Sequence, residues 1–321
     1  MTTNVTSFLD VIKHLCNYDQ PFPAKYLQYF TDLSDKDQSL LKSTWQGLNI
    51  TRKLSLLEDL EDLTNHDTLM DFTGVSKIAF NDPDDQVREA ALSLLWDTEE
   101  KAIVPILIDF LQSDPCGRVR ASAASVMGHY VLLGETEEIP EELKDMVDCA
   151  LLQAHHTDKD THVQLRSLES LGYSSHKEVN GLIKKASASG DLEWLASALY
   201  AMGRSADKVW SVPVLKNIDH MDELVREEAI RAAGELGLQA AQERLIEMLD
   251  GEEDDEVRTT IIWSLSQIGG DGVREAIMKQ AELMPDDDMT DFIEKALDNL
   301  NFTEELSQFN LIDIDDLKDT D

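Results

Sequence analysis

Histidine is the residue type that most directly suggests metal chemistry here, and the densest group is His155, His156 and His162. Asp158 and Asp160 lie between them and offer carboxylate oxygens. Neighbouring residues on a helix point about 100° apart, so adjacent histidines do not converge on one ion. We therefore expect a polar turn in this segment and no metal site.

The sequence also contains no recognisable motif for a catalytic nucleophile or for a phosphate-binding loop. Cys16, Cys116 and Cys149 are far apart, lack Cys-x-x-Cys spacing and are expected to be reduced thiols. The glycine-rich residues 269–272 follow no predicted strand, and no Gly-x-Ser-x-Gly elbow is present. The sequence predicts no catalytic residue and no cofactor, and it leaves open a nucleophile assembled from distant residues.

Net charge narrows the classes of partner. The chain has 28 Lys and Arg against 64 Asp and Glu, a formal charge of -36. Nucleic acids and anionic membranes bind basic side chains, so we expect neither as the main partner. Either the acidic surface keeps the protein soluble, or it attracts a basic protein or peptide. With no basic segment before an apolar core at the N-terminus and no apolar run near about 18 residues, we expect a cytoplasmic protein.

A repeated frame determines where helices must lie. Each copy is an acidic turn, then an apolar residue that we call the lead residue, then often Arg, then small residues. Successive lead residues are separated by 32, 44, 31, 31, 32 and 32 residues, one period with a single insertion at residues 130–141. A fixed period of this size indicates a repeat architecture. The lead residues are Val87, Val119, Val163, Trp194, Val225, Val257 and Met289.

Each copy of the frame predicts a helical hairpin. The residue three before the lead residue is Asp in six of the seven copies, which suits a helix N-cap. Residues four and eight after it, such as Ala91 and Leu95, are small or apolar and form a buried stripe. A second amphipathic segment follows, as in residues 102–111. Glycines near the ends of the first helices are expected in left-handed caps: Gly128, Gly172, Gly203 and Gly237.

The repeated motifs resemble HEAT repeats. Those that begin at Val87 (Val-Arg-Glu-Ala-Ala) and Val225 (Val-Arg-Glu-Glu-Ala-Ile-Arg-Ala-Ala-Gly) carry the resemblance, and the period is similar to the short repeats of the phycobilisome-lyase type. The resemblance implies an all-α fold, an α-solenoid of about seven to eight HEAT-like hairpins. It also implies a ladder between repeats, formed by Asp84, Asp222, Asp254, Arg88, Arg120, Arg226 and Arg258.

The two ends depart from the frame. We expect an N-terminal helical cap at residues 1–48, the repeat solenoid at residues 49–300 and an acidic tail at residues 301–321. The tail mixes seven acidic residues with apolar ones, so docking on the solenoid and disorder are both compatible with it.

The resemblance implies that the first helix of each hairpin lines a concave face, where residues six after each lead residue project outward. This set includes Tyr200, Arg231 and Trp263, and Glu169 belongs to it as well. Two similar turns follow consecutive first helices and add candidates along one edge. The predicted partner-binding residues are Tyr173, His176, Tyr200, Arg204, Trp210, Arg231 and Trp263.

The function predicted from these features is a non-enzymatic scaffold or adaptor that binds a protein or peptide on the concave face. The alternative is a HEAT-like enzyme or chromophore-lyase-type protein with a bound cofactor. Deoxyhypusine hydroxylases resemble this repeat and hold iron through His-Glu pairs, but this chain contains no His-Glu dipeptide. That iron site is therefore not expected.

Overall fold

In a computed structural model, the chain folds into helices joined by short turns. The structure describes residues 7–66, 70–252, 254–283 and 287–316, and the regular elements within these ranges are all helical, which confirms the all-α prediction. The chain divides into two compact units, Met1–Leu171 and Gly172–Asp321. No described helix has both the length and the apolar composition needed to cross a membrane.

The first unit is a stack of helical hairpins that follows short N-terminal helices. Helices α3, α5, α7 and α9 pack one on the next and form its first layer, while α4, α6 and α8 pack against them as a second layer. The helices are α1 (Phe8–Leu15), α2 (Asp35–Trp45), α3 (Ile50–His66), α4 (Thr73–Ala79), α5 (Asp85–Ser93), α6 (Val104–Ser113), α7 (Gly117–Glu135), α8 (Glu141–Thr157) and α9 (Thr161–Ser170).

The second unit repeats this arrangement. Helices α11, α13, α15 and α17 pack in order, with α10, α12, α14 and α16 as the second layer. We call the exposed side of the first layer in each unit its first-helix face. The helices are α10 (Val179–Ser187), α11 (Leu192–Arg204), α12 (Ser211–Asn217), α13 (Glu223–Glu235), α14 (Gln242–Leu249), α15 (Asp255–Ile268), α16 (Val273–Leu283) and α17 (Asp287–Asp316).

Burial follows the predicted frame. The lead residues Val87 and Val225 are fully buried, and so are Ala91 and Leu95, which lie one and two turns after Val87. The small residue one turn after the lead residue lets adjacent first helices approach, while the larger residues fill the core between layers. The hairpin prediction is therefore confirmed.

Aspartates begin the first helices, as the frame predicts. The side chains of Asp84, Asp160, Asp191, Asp222 and Asp254 each accept a hydrogen bond from a backbone N–H of the first turn. These bonds satisfy amide groups that have no partner within the helix. Cys116 occupies the same position before α7 and makes no such bond. Asp286, the last of the series, lies outside the described residues.

The ion-pair ladder is present in the first unit with different aspartates from those expected. Arg88 donates to both carboxylate oxygens of Asp114, at 2.8 and 3.0 Å, and Arg120 donates to Asp158 in the same way. Asp114 and Asp158 lie five residues before the lead residue of the following copy. The residue three before that lead residue, where the ladder aspartate was expected, is instead the N-cap of the helix. In the second unit, Arg226 donates instead to the backbone carbonyl of His220.

The glycines near the helix ends separate into two roles. Gly237 has a φ of 57° and forms the predicted left-handed cap. Gly128, Gly172 and Gly203 do not, because they lie where neighbouring first helices touch. At Gly203, an added Cβ would lie 2.9 Å from the Cα of Ala232 on the next first helix. The absence of a side chain therefore permits close helix packing.

Two segments differ from the boundaries expected. The insertion at residues 130–141 mostly lengthens a helix, since α7 continues to Glu135 and only a short turn precedes α8. The predicted boundary at residue 300 also falls inside a helix, because α17 runs from Asp287 to Asp316. Residues 317–321 of the expected tail lie outside the described residues.

Candidate functional site

Three of the predicted binding residues occupy equivalent positions on the first-helix face of the second unit. Tyr200, Arg231 and Trp263 come from α11, α13 and α15, and each lies six residues after its lead residue. Trp263 is 38% exposed, with its ring centroid 6.3 Å from that of Phe292 on α17. Tyr200 and Arg231 are half-buried. We call these three residues the aromatic–arginine row.

Arg204 joins this row through contact with two tyrosines. Its guanidinium carbon lies 4.2 Å from the centroid of the Tyr200 ring and 4.8 Å from that of the Tyr173 ring. Each contact is a cation–π interaction of about 0.5–1 kcal/mol where water has access. Arg204 therefore stacks against two tyrosine rings, and its guanidinium also interacts electrostatically with the Glu235 carboxylate.

Carboxylates surround the arginine at the centre of the row. Arg231 donates to Glu227 at 2.8 Å and to Glu228 at 3.2 Å, both on its own helix. Burial of Arg231 lowers its pKa, but Glu228 and Glu227 more than offset this effect, so the pKa is raised overall. Displacement of water around Glu235 raises the pKa of its carboxyl, opposed by Arg204 and Arg231. The row thus combines aromatic surface with groups of both charges.

The other residues predicted to face a partner are buried or half-buried. Trp210 is only 3% exposed, because its indole packs in the core with the Lys184 ammonium 5.9 Å from the ring centroid. It does not belong to the surface of the site. His176 is half-buried, and its Nδ1 accepts a hydrogen bond from the backbone N–H of Glu178. Glu169, expected to project outward, is buried and accepts a hydrogen bond from Arg166.

A cleft in the first unit was not predicted from the sequence. Its volume is about 680 Å³, within the range of sites that hold ligands. Residues of α3, α5, α7 and α9 line it, together with Trp96, which follows α5 and is 49% exposed. We call it the Trp96 cleft. Its lining includes Glu61, Glu89, Arg118, His162 and Arg166.

The repeat register explains why the cleft opens at this place. Trp96 lies nine residues after its lead residue, where the next four copies have Gly128, Gly172, Gly203 and Gly234. At each of these glycines an added Cβ would lie 3.3 Å or less from a backbone Cα of the neighbouring repeat, whereas Trp96 follows the end of α5 and lines the cleft. A large aromatic residue in a glycine position was the signal in the sequence that could have identified this site.

Metal binding has no support from side-chain positions. Within the described ranges, no three His, Cys, Asp or Glu side chains lie close enough together to hold an ion. His155, the first of the histidine group, instead bonds through Nδ1 to the backbone oxygen of Gln164 at 2.9 Å.

Comparisons with known proteins identify the repeat type. A family model described as HEAT repeats matches residues 73–150 and 211–298, together more than half of the chain. No curated protein matches. Human deoxyhypusine hydroxylase in complex with glycerol is 16% identical over 92% of this chain and 96% of that chain, with a TM-score of 0.37. Importin beta in an ammonium sulfate condition is 10% identical over 91% of this chain and 46% of that chain, with a TM-score of 0.42.

Proposed function

The chain belongs to the HEAT-repeat family, and from this premise we propose that it is a non-enzymatic scaffold or adaptor for a protein or peptide. The binding surface in this proposal is the first-helix face, which we infer to be the concave one. HEAT repeats stack into extended surfaces, and their activity is decided by the residues presented there.

The observation that carries this proposal is the aromatic–arginine row with Arg204 beside it. Tyrosine, tryptophan and arginine contribute most of the energy at protein interfaces, because they bury large area and lose little entropy. The contacts of Arg204 with Tyr173 and Tyr200 hold its guanidinium in place before a partner arrives. Such preorganisation lowers the entropic cost of binding.

Charge supports a basic partner for this surface. The chain carries a net charge of -36, and Glu227, Glu228 and Glu235 lie beside Arg231 of the row. Opposite charges speed the encounter of two proteins and stabilise pairs formed at the rim of an interface.

Affinity capture with two purified variants tests the proposal. Partners recovered from a lysate of the source organism by the wild type should be recovered at least about tenfold less by the double variant Tyr200→Ala, Trp263→Ala. The control double variant, Val212→Ala with Met278→Ala, removes exposed apolar side chains from α12 and α16 outside the row and should behave as the wild type.

Two outcomes would contradict the proposal. Unchanged recovery of every partner by the Tyr200, Trp263 double variant would remove the row from the binding surface. A stoichiometric metal or chromophore in the purified protein, measured by elemental analysis and an absorbance spectrum, would refute a scaffold-only function.

A further inference from the structure

The Trp96 cleft lies within the first unit, and its two arginines are already neutralised by carboxylates of the protein. Arg118 lies 3.3 Å from Glu89 and 3.4 Å from Asp85, so two carboxylates share one guanidinium. Arg166 pairs with Glu169 on its own helix. The two guanidinium groups therefore meet three carboxylates, and this set carries a surplus of negative charge.

Glu61, the remaining carboxylate of the lining, has no such cationic partner. It is half-buried on α3, and burial together with Asp62 and Glu58 raises the pKa of its carboxyl. Among the described residues, no lysine or arginine opposes these effects, whereas Arg52 does so for Asp59 on the same helix. A cation that enters the cleft would supply the counter-charge that Glu61 lacks.

Trp96 is the second feature of the lining that suits a cation. Its side chain is 49% exposed, and the cation–π contacts of the described residues do not involve its ring. Tryptophan is the most favourable aromatic partner for a guanidinium or ammonium group, and such a contact is worth about 0.5–1 kcal/mol where water has access. The cleft therefore offers an aromatic face and an unpaired carboxylate together.

The shape of the cleft suits a long side chain. Its volume is about 680 Å³, sufficient for such a side chain together with the adjacent backbone of a peptide. Ala121, Ser122 and Ser125 lie along α7 and form a floor of small side chains. An aliphatic stem can lie over this floor while its charged end reaches the polar groups of the lining.

We propose that the Trp96 cleft binds an arginine side chain of an extended peptide segment. The guanidinium stacks on the Trp96 indole and donates hydrogen bonds to the Glu61 carboxylate, while the stem packs over the small side chains of α7. The site is additional to the aromatic–arginine row of the second unit, and it requires no property of that row.

Fluorescence anisotropy with three labelled peptides tests the inference. The peptides share a Gly/Ser background and carry arginine, citrulline or glutamate at the central position. Citrulline retains the length and planarity of arginine and removes its charge. The arginine peptide should bind the full-length protein about tenfold more tightly than the citrulline peptide, and the glutamate peptide should bind most weakly.

Three variants of the lining assign the contacts. Trp96→Ala should weaken binding of the arginine peptide by about fivefold or more, because the stacking surface is lost. Glu61→Gln keeps the shape of the side chain and removes its charge, so it should reduce the preference for arginine over citrulline. Arg166→Gln removes one of the paired arginines and should bind the arginine peptide at least as tightly as the wild type does.

Matched controls from α8 separate this site from general surface effects. Met146→Ala removes an apolar side chain of similar exposure to Trp96, and Glu142→Gln removes an exposed carboxylate and changes the net charge as Glu61→Gln does. Both should bind the arginine peptide as the wild type does. Thermal unfolding of each variant checks that it folds.

The inference is overturned if no peptide binds measurably, if the citrulline or glutamate peptide binds as tightly as the arginine peptide, or if Trp96→Ala leaves the arginine-peptide affinity unchanged. Equal losses in Glu61→Gln and Glu142→Gln would also overturn it, since they would indicate general attraction to an acidic surface. The Tyr200, Trp263 double variant retains an intact Trp96 cleft and should bind the arginine peptide normally. Failure of the row in affinity capture and failure of this site are therefore distinguishable results.

Discussion

Replacement of Asp82 by alanine is expected to lower the free energy of unfolding by about 3–5 kcal/mol. The carboxylate is almost fully buried and accepts hydrogen bonds from the Lys53 ammonium at 2.6 Å and the Trp45 indole at 2.8 Å. It also accepts from the backbone N–H of Asp84. Removing it leaves a buried ammonium without its counter-charge and an indole N–H without an acceptor, and both effects destabilise the folded state.

A second ion pair provides the control. Lys77 and Glu100 lie 2.8 Å apart, but both side chains are about two-fifths exposed, so Glu100→Ala should cost no more than about 1 kcal/mol. Urea unfolding followed by circular dichroism measures both variants. A similar, small loss for Asp82→Ala and Glu100→Ala would show that burial of the Lys53–Asp82 pair has no energetic consequence.

The same carboxylate determines part of the pH dependence. Burial raises the pKa of Asp82, but hydrogen bonds from Lys53, Asp84 and Trp45 outweigh it, so the pKa lies below its usual value. Since the unfolded chain binds this proton more readily, the stabilisation is fully present above the unfolded pKa of about 4 and is lost as pH falls through the lower folded value. The Asp82→Ala variant should therefore lose stability less steeply than the wild type below about pH 4.

The fold could be predicted because its determinants are local and repeated. A lead residue, a capping aspartate and a small residue one helical turn later recur in copy after copy, and each has a direct physical role near its own position. Asp222 caps α13, and Ala229 is buried four residues after the lead residue Val225. Both roles can be predicted from the residues next to them in the sequence. Stacking then requires only that neighbouring copies present compatible surfaces.

The site was predicted less well because exposure depends on contacts between segments. Trp210 was expected at the surface because it follows one of the two similar turns, but the short helical turn Lys208–Trp210 directs its indole into the core. Trp96 shows the reverse, since two buried leucines precede it and yet its ring is half exposed. Register relative to the lead residue predicted repeat packing, while position next to a turn did not predict which side chains are exposed.

The close contact between α13 and α15 makes the effect of a glycine-to-alanine substitution on stability depend on its position. Gly234 lies in α13, where an added Cβ would stand 2.7 Å from the Cα of Ser264 on α15. This obstacle is backbone, which cannot rotate away, so the two helices must separate along their contact. Gly234→Ala should lower the free energy of unfolding by about 1–3 kcal/mol, the usual cost of overpacking.

Gly181→Ala provides the matched control in α10. An added Cβ there meets nothing within 4 Å, and the backbone φ is not positive. Alanine restricts the unfolded chain and favours helix, so this variant should gain about 0.5–1 kcal/mol. The two variants differ from the wild type by the same methyl group, and unfolding in urea compares them directly. A gain at both positions would mean that α13 and α15 are not in the close contact that stacks these repeats, whereas opposite signs locate the effect at the helix interface.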